Sequence, residues 1–302
     1  IWYCIKKLHM RITFGKFDFG LLRDMAGFSF FIFLNEIINQ INWTVDTTLL
    51  GIISGTAATA IYGVGSQINQ YYMALSTSIS GVFTPQINRI VARGEGDEQL
   101  TKLFTRVGRI QFMLLMLVLT GFVFVGEPFI CAWGGEEYGA AYWIALLLIA
   151  PVTVPLIQNI GIEIQRAKNM HQFRSKVYFC MAIGNALVSI PLGMKFGGIG
   201  CALGTAISRV VGNGFIMNWY YQTHIGLDMR YFWKHILSIV PAMLPAVALG
   251  IIAVRLHTFT GYAGVVTFAV PYAAVYAVGL YLFAMDESEK NMVRGVMRKI
   301  RR

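Results

Sequence analysis

Residues 139–162 read GAAYWIALLLIAPVTVPLIQNIGI, a stretch that contains no charged side chain. A helix needs about 20 consecutive apolar residues to cross the hydrocarbon core of a bilayer. Comparable charge-free runs cover residues 47–88, 110–126 and 256–285. The sequence therefore predicts an all-α integral membrane protein, a polytopic helical bundle.

The composition supports this prediction. The 302 residues are 56% hydrophobic and only 13% charged, whereas soluble domains carry about 25% charged residues. This excludes a soluble globule, a disordered chain and a fibrous repeat. The four cysteines form no CxxC pair, so neither a metal site nor a disulfide framework is indicated.

The distribution of Lys and Arg gives the predicted topology. We place eight spans at about 26–53, 58–83, 108–127, 139–163, 176–195, 197–221, 236–254 and 262–284. When the connecting segments alternate sides, 22 of the 25 basic residues fall on one side and only Lys195 and Arg255 on the other. The positive-inside rule makes the basic side cytoplasmic. The net charge of +10 is thus a topology signal, and no nucleic-acid partner is expected.

Two segments outside the spans carry further expectations. The chain begins with apolar residues 1–5 followed by Lys6 and Lys7, which we interpret as the end of a truncated helix and the C-terminal part of a longer protein. Residues 84–107 contain an amphipathic stretch after Asp97. It is typical of a helix on the cytoplasmic membrane surface, or alternatively of a solvated linker helix.

Polar residues recur on one face of the first predicted span. At about 100° per residue, four of them fall within a sector of roughly 60°, flanked by Glu36; they are Asn35, Asn39, Asn42 and Asp46. Such a stripe suits a hydrated cavity for a polar substrate. Hydrogen bonding between packed helices is the alternative. Tyr62 and Asn69 share a face of the second span, and the same two interpretations apply to them.

The fourth span combines two prolines with Gln158, Asn159 and Glu163. Prolines within a helix produce a kink or hinge, and broken helices are frequent in transporters. Gln158 and Asn159 are therefore candidates for the cavity. Glu163 and the carboxylates Glu36 and Asp46 are candidates for ion coupling, although Glu163 also has Arg166 close by in sequence as a partner.

Arg209 is the one basic residue in the middle of a predicted span. A guanidinium can hold a phosphate through two parallel hydrogen bonds. The alternatives are a structural ion pair with Glu36, Asp46 or Glu163, or extension of the side chain towards the cytoplasm. No Walker A sequence, His-x-x-x-His pattern or nucleophile–base arrangement is present, so the chain is not expected to be an enzyme or an ATP-driven pump.

Several short motifs in a fixed order carry a family resemblance over about residues 20–235. They are Asp46-x4-Gly51, Ile61-Tyr62, Pro85, Ala92-Arg93-Gly94-x2-Asp97, Trp133-Gly134-x3-Tyr138, Gln158-Asn159-x-Gly161, Ala167-x-Asn169-x-His171, Asn185 and the run 197–205. The chain resembles the C-terminal part of a Wzx-type polysaccharide flippase (O-antigen or capsule) of the multidrug/oligosaccharidyl-lipid/polysaccharide (MOP) exporter superfamily.

The resemblance implies a fold and a division of the chain. MATE/MOP-like proteins have two six-helix lobes around a central cavity, and some branches add two C-terminal helices. Residues 1–25 would be the end of a preceding helix and a linker, and 26–221 the C-terminal lobe. Residues 222–285 would form the two additional transmembrane helices, and 286–302 a basic cytoplasmic tail.

The resemblance also implies a function. Family members move undecaprenyl-pyrophosphate-linked oligosaccharides across the bacterial cytoplasmic (inner) membrane, without a cofactor and with a proton or sodium gradient as the proposed energy source. Expected partners are the lipid-linked oligosaccharide, membrane lipids and the missing N-terminal lobe, with a polysaccharide polymerase and a chain-length regulator as further candidates. Alternatives are a drug/cation antiporter, a peptidoglycan-precursor flippase with more than one cavity cation, or a non-transporting assembly subunit.

Overall fold

A computed structural model describes residues 6–7 and 19–300, and the expectation for residues 1–5 lies outside this part of the chain. The elements are α1 (Phe19–Ile53), α2 (Gly55–Arg93), α3 (Asp97–Gly134), α4 (Ala141–Ile157), α5 (Asn159–Ala167), α6 (Gln172–Arg209), α7 (Met229–Leu237), α8 (Val240–Leu256), α9 (Gly261–Phe283) and α10 (Glu287–Ile300). Two π-helical segments, Val210–Met217 and Tyr221–Ile225, follow α6. The described residues contain no β-strand, which confirms the all-α prediction.

Several helices are long and apolar enough to cross a bilayer. Four continuous stretches qualify, namely Asp97–Gly134, Gln172–Ile225, Met229–Leu256 and Gly261–Phe283, and the bent pair α4–α5 makes a fifth among the described residues. The segments α1 and α2 fall short of the same apolarity because polar side chains interrupt them. The chain is thus a multi-pass membrane protein, and the count of eight spans stays a prediction.

The stretch 172–225 reverses direction at Gly197. This residue has φ 59° and ψ −137°, a backbone conformation outside the helical region. A Cβ atom on Gly200 would overlap the carbonyl oxygen of Leu192. In a straight helix these two residues, eight positions apart, would be about 12 Å apart along the axis, so the chain must fold back between them. The Ser189 hydroxyl donates a hydrogen bond to the Cys201 carbonyl at 3.3 Å. The two halves of α6 therefore form a close antiparallel hairpin, and its turn lies where the predicted spans 176–195 and 197–221 meet.

The amphipathic stretch after Asp97 is the first part of α3 and packs against protein. Leu100, Phe104 and Val107 are buried. The Phe104 ring lies 4.6 Å from the Phe232 ring, between centroids. The prediction of a helix on the membrane surface is wrong, because helical periodicity reveals an apolar face without revealing what covers it.

An ion pair attaches the last helix to the third. The Arg109 guanidinium donates two hydrogen bonds to the carboxylate of Glu289, at 2.9 and 3.0 Å. It also donates to the carbonyl oxygens of His235 at 3.0 Å and Ala284 at 2.7 Å. Both charged side chains are buried, so α10 is held at its first turn against the helix bundle.

Candidate functional site

A cavity of about 480 Å³ lies among α1, α2, the α4–α5 bend, α6 and the first π-helical segment. One part of its wall is apolar, with Leu148, Val152 and Leu156 from α4. The polar part carries hydroxyl, amide and charged side chains. These are Asp46, Tyr62, Ser66, Asn69, Thr77, Asn159, Arg174, Tyr178, Asn185, Thr205, Ser208, Arg209 and Asn213.

Five of the residues predicted from the sequence come together at this cavity: Asp46, Tyr62, Asn69, Asn159 and Arg209. They come from four helices, α1, α2, α5 and α6. The side chains of Asn35, Glu36, Asn39 and Asn42 lie outside the described part of α1, so their predicted roles stay predictions.

Asp46 is buried in a cluster of oxygen atoms. Its Oδ2 accepts hydrogen bonds from the hydroxyls of Tyr62 and Thr205, both at 2.8 Å. Its Oδ1 is buried and has no hydrogen-bond donor among the described residues. Thr205 Oγ1 also lies 3.3 Å from the amide oxygen of Asn185, which accepts from Ser189 at 2.9 Å.

This cluster has more hydrogen-bond acceptor oxygens than hydroxyl protons to donate to them. Each hydroxyl carries one proton, yet Thr205 faces acceptors on both Asp46 and Asn185. Ser189 likewise faces Asn185 and the Cys201 carbonyl. An added proton or a monovalent cation would supply the missing partner, because oxygen lone pairs that accept no hydrogen bond attract either one.

Arg209 lies half-buried at the cavity wall. Its Nη1 donates to the carbonyl oxygen of Leu148 at 3.3 Å. No carboxylate oxygen lies within 4.0 Å of its guanidinium among the side chains that the structure describes. The ion pairs considered with Asp46 and Glu163 are therefore not formed, and the pair considered with Glu36 stays a prediction because that side chain lies outside the described residues. Among the described contacts, the guanidinium keeps donors for another acceptor in the cavity.

Arg174 is a second cation at this cavity, although the predicted spans place it in a connecting segment. Its Cζ lies 4.6 Å from the centroid of the Tyr178 ring, and its Nη2 donates to the Tyr178 hydroxyl at 3.1 Å. That hydroxyl donates to Asn213 Oδ1 at 2.9 Å. The available signal was the spacing of Arg174, Tyr178, Met181 and Asn185, which all lie on one helical face.

Two predicted site residues do not line the cavity. Gln158 lies at the break between α4 and α5, and its side chain is turned to Asn218 instead, with Nε2 to Oδ1 at 3.0 Å. Glu163 accepts a hydrogen bond from Arg166 at 2.9 Å, as the alternative interpretation proposed. Local partners therefore occupy both side chains, and neither residue is among those that line the cavity. The ion-coupling role of Glu163 stays a prediction.

Comparisons with known proteins agree with this architecture. The family described as "Polysaccharide biosynthesis protein" matches residues 2–143. The probable flippase AglR of Haloferax volcanii is 25% identical over 174 residues, which are 56% of this chain and 36% of AglR. The chain thus spans about a third of the length of that curated relative.

A solved structure shares the fold. The lipid II flippase MurJ in an inward closed conformation superposes with a TM-score of 0.63 at 18% identity, over 89% of this chain and 56% of MurJ. The similarity covers nearly the whole chain and just over half of the solved protein. It confirms the predicted helical architecture.

Proposed function

We propose that this chain is part of a flippase of the MOP exporter superfamily and forms the cavity of a transporter for lipid-linked oligosaccharide. The substrate would be a saccharide carried on a polyprenyl diphosphate. One observation carries the proposal: Arg174 and Arg209 line a cavity whose other polar groups are hydroxyls and amides, apart from the Asp46 carboxylate. Guanidinium groups suit a diphosphate, and hydroxyl and amide groups suit a saccharide.

The charge of the cavity favours an anionic substrate. Asp46 is the single carboxylate among the described lining residues, and it already accepts two hydrogen bonds. A drug/cation antiporter is disfavoured, because a cationic substrate would face two arginines. A peptidoglycan-precursor flippase is the second candidate, since more than one cavity cation is expected in that branch and Arg174 supplies the second.

The setting of the transporter is part of the proposal. The basic side of the chain, including 286–302, would face the cytoplasm of a bacterial cell, in line with the positive-inside rule. A second lobe would complete the cavity, and a polymerase and chain-length regulator would take the flipped product. Neighbouring genes for glycosyltransferases and a polymerase would favour the oligosaccharide substrate over the peptidoglycan precursor.

The test uses cells that lack their polysaccharide flippase and separate cells depleted of their lipid II flippase. We expect the intact two-lobe protein to restore surface polysaccharide in the first strain. It should leave the second unable to grow. Residues 1–302 expressed alone should insert into the membrane and restore neither. Rescue of the lipid II strain alone would move the assignment to the second candidate, and failure in both would contradict the flippase.

We further propose that the Asp46 cluster binds the coupling ion, a proton or Na⁺. Its support is the surplus of oxygen acceptors around Asp46 Oδ1. Replacing Asp46 with Asn removes the charge and keeps the shape. The change should reduce gradient-driven flipping in membrane vesicles by about tenfold or more, while flipping down a substrate gradient continues.

Ser66→Ala is the control for coupling, because Ser66 is also buried at the cavity and lies outside the hydrogen-bonded cluster. This variant should keep its response to the gradient, even if the loss of a cavity hydroxyl changes the rate of flipping. Imposing proton and sodium gradients separately identifies the ion. If Asp46→Asn vesicles still respond to either gradient as the wild type does, the coupling site lies elsewhere.

A further inference from the structure

Two irregular helical segments face each other beside the cavity. The first is the break at Gln158, where α4 and α5 meet at a bend of 41°. The second is the pair of π-helical segments after Arg209, which are separated by a single α-helical turn at Asn218–Tyr220. π-Helical segments are rare in proteins, and those that occur are often found at functional sites.

Asn218 joins these two segments through its side-chain amide. Its Nδ2 donates to the carbonyl oxygens of Asn213 at 2.8 Å and Gly214 at 2.9 Å. Its Oδ1 accepts from Gln158 Nε2 at 3.0 Å and from the indole nitrogen of Trp233 at 2.8 Å. An amide side chain has two donor hydrogens and two acceptor lone pairs, so Asn218 uses its full hydrogen-bonding capacity.

The contacts of Asn218 continue to the cavity. Asn213, whose carbonyl accepts from Asn218, also accepts from the Tyr178 hydroxyl through its own side chain. Tyr178 in turn accepts from Arg174. A continuous chain of hydrogen bonds therefore connects a cavity cation with the bend at Gln158.

The same region is packed too closely for the segments to move independently. A Cβ atom on Gly161, three residues after the bend, would lie 2.7 Å from the ring of Tyr221 in the second π-helical segment. Tyr221 itself is buried. Changing the bend at Gln158 therefore requires the π-helical segments to shift with it.

We propose that Asn218 is a positioning residue of the transport site, which couples the bend in α4–α5 to the orientation of the cavity-facing residues 205–213. This inference rests on the proposed function. The two donor hydrogens of Asn218 satisfy carbonyls in the first π-helical segment. Without them the segment regains α-helical register, and one residue of register rotates a helix face by about 100°. Arg209 and Asn213 then turn away from the cavity.

The test measures that rotation directly, before any transport assay. In a cysteine-free background of the intact protein, Ser208→Cys places a thiol at the cavity wall. We expect Asn218→Leu to slow its labelling by a small polar thiol reagent at least fivefold. Trp233→Phe removes one hydrogen bond to Asn218 and should slow labelling about twofold. Trp219→Phe is the matched control, since the Asn218 side chain bonds to the indole of Trp233 and the Trp219 side chain is exposed.

Transport by the same variants separates this inference from the proposed function. We expect Asn218→Leu to reduce flipping at least tenfold at normal protein abundance, and Trp219→Phe to leave it unchanged. Unchanged labelling of the introduced thiol in both Asn218→Leu and Trp233→Phe would overturn the coupling role, whatever the transport result. A different outcome would overturn the proposed function and retain the positioning role of Asn218. In that outcome, labelling is slowed in Asn218→Leu, while the separate variants Arg209→Gln and Arg174→Gln flip substrate normally.

Discussion

Replacing Arg209 with Gln should reduce flipping at least tenfold, and up to about a hundredfold, while the protein remains in the membrane at its normal abundance. The described contacts give its guanidinium a single carbonyl partner, Leu148, so the fold loses little. A hydrogen bond to a charged group contributes about 1.5–3 kcal/mol, which corresponds to roughly this range of rates. Complementation of a flippase-null strain measures the effect, with immunoblotting for abundance.

Neutralising the carboxylates distinguishes a substrate ligand from half of an ion pair. Arg209→Gln is combined in turn with Asp46→Asn, Glu36→Gln and Glu163→Gln. A substrate ligand predicts that no combination restores transport. If Arg209→Gln instead lowers the abundance of the protein and one neutralisation returns it to normal, Arg209 stabilises the fold through that carboxylate and the diphosphate site must be assigned to other residues.

Replacing Gly200 with Ala should destabilise the protein strongly. The new Cβ atom would overlap the carbonyl of Leu192 and lie 2.9 Å from the backbone nitrogen of Gly193. Backbone atoms cannot rotate away as a side chain can, and overpacking of this kind costs about 1–3 kcal/mol or more. We expect the melting temperature in detergent to fall by about 5 °C or more, with lower yield in the membrane.

Gly184→Ala in the same helix is the control, because nothing lies within 4 Å of its added Cβ. Alanine is favoured over glycine within helices by up to about 1 kcal/mol, so this variant should be unchanged or slightly more stable. Equal melting temperatures for the two variants would show that the two halves of α6 are further apart than the hairpin requires.

The sequence predicted the helices and much of the cavity because the distribution of charged and polar residues is visible in one sequence. Charge-free runs located the apolar helices, and the predicted spans 176–195 and 197–221 meet at Gly197, where α6 reverses direction. Asp46, Tyr62 and Arg209 were identified because polar groups are costly in hydrocarbon. That cost applies whatever the tertiary arrangement, so it is visible in one sequence.

The incorrect predictions concern the directions of side chains and the residues they contact, both of which depend on tertiary packing. Gln158 was assigned to the cavity by its neighbourhood, but the break between α4 and α5 turns it towards Asn218. Arg174 was placed in a loop because a charge near a span end is ordinarily solvated, whereas here it lies over the Tyr178 ring at the cavity. The role of Asn218 required the π-helical segments, for which the sequence has no known pattern.

The contact between Arg109 and Glu289 has a consequence for biosynthesis. The two residues are 180 positions apart, and ribosomes add about 5–20 residues per second, so roughly 10 to 35 s separate their synthesis. During this interval the arginine has no carboxylate from α10, and a chain that terminates early never supplies one. A chain that ends before residue 289 would therefore keep Arg109 without its carboxylate partner, and a buried charge that lacks its partner destabilises a fold strongly.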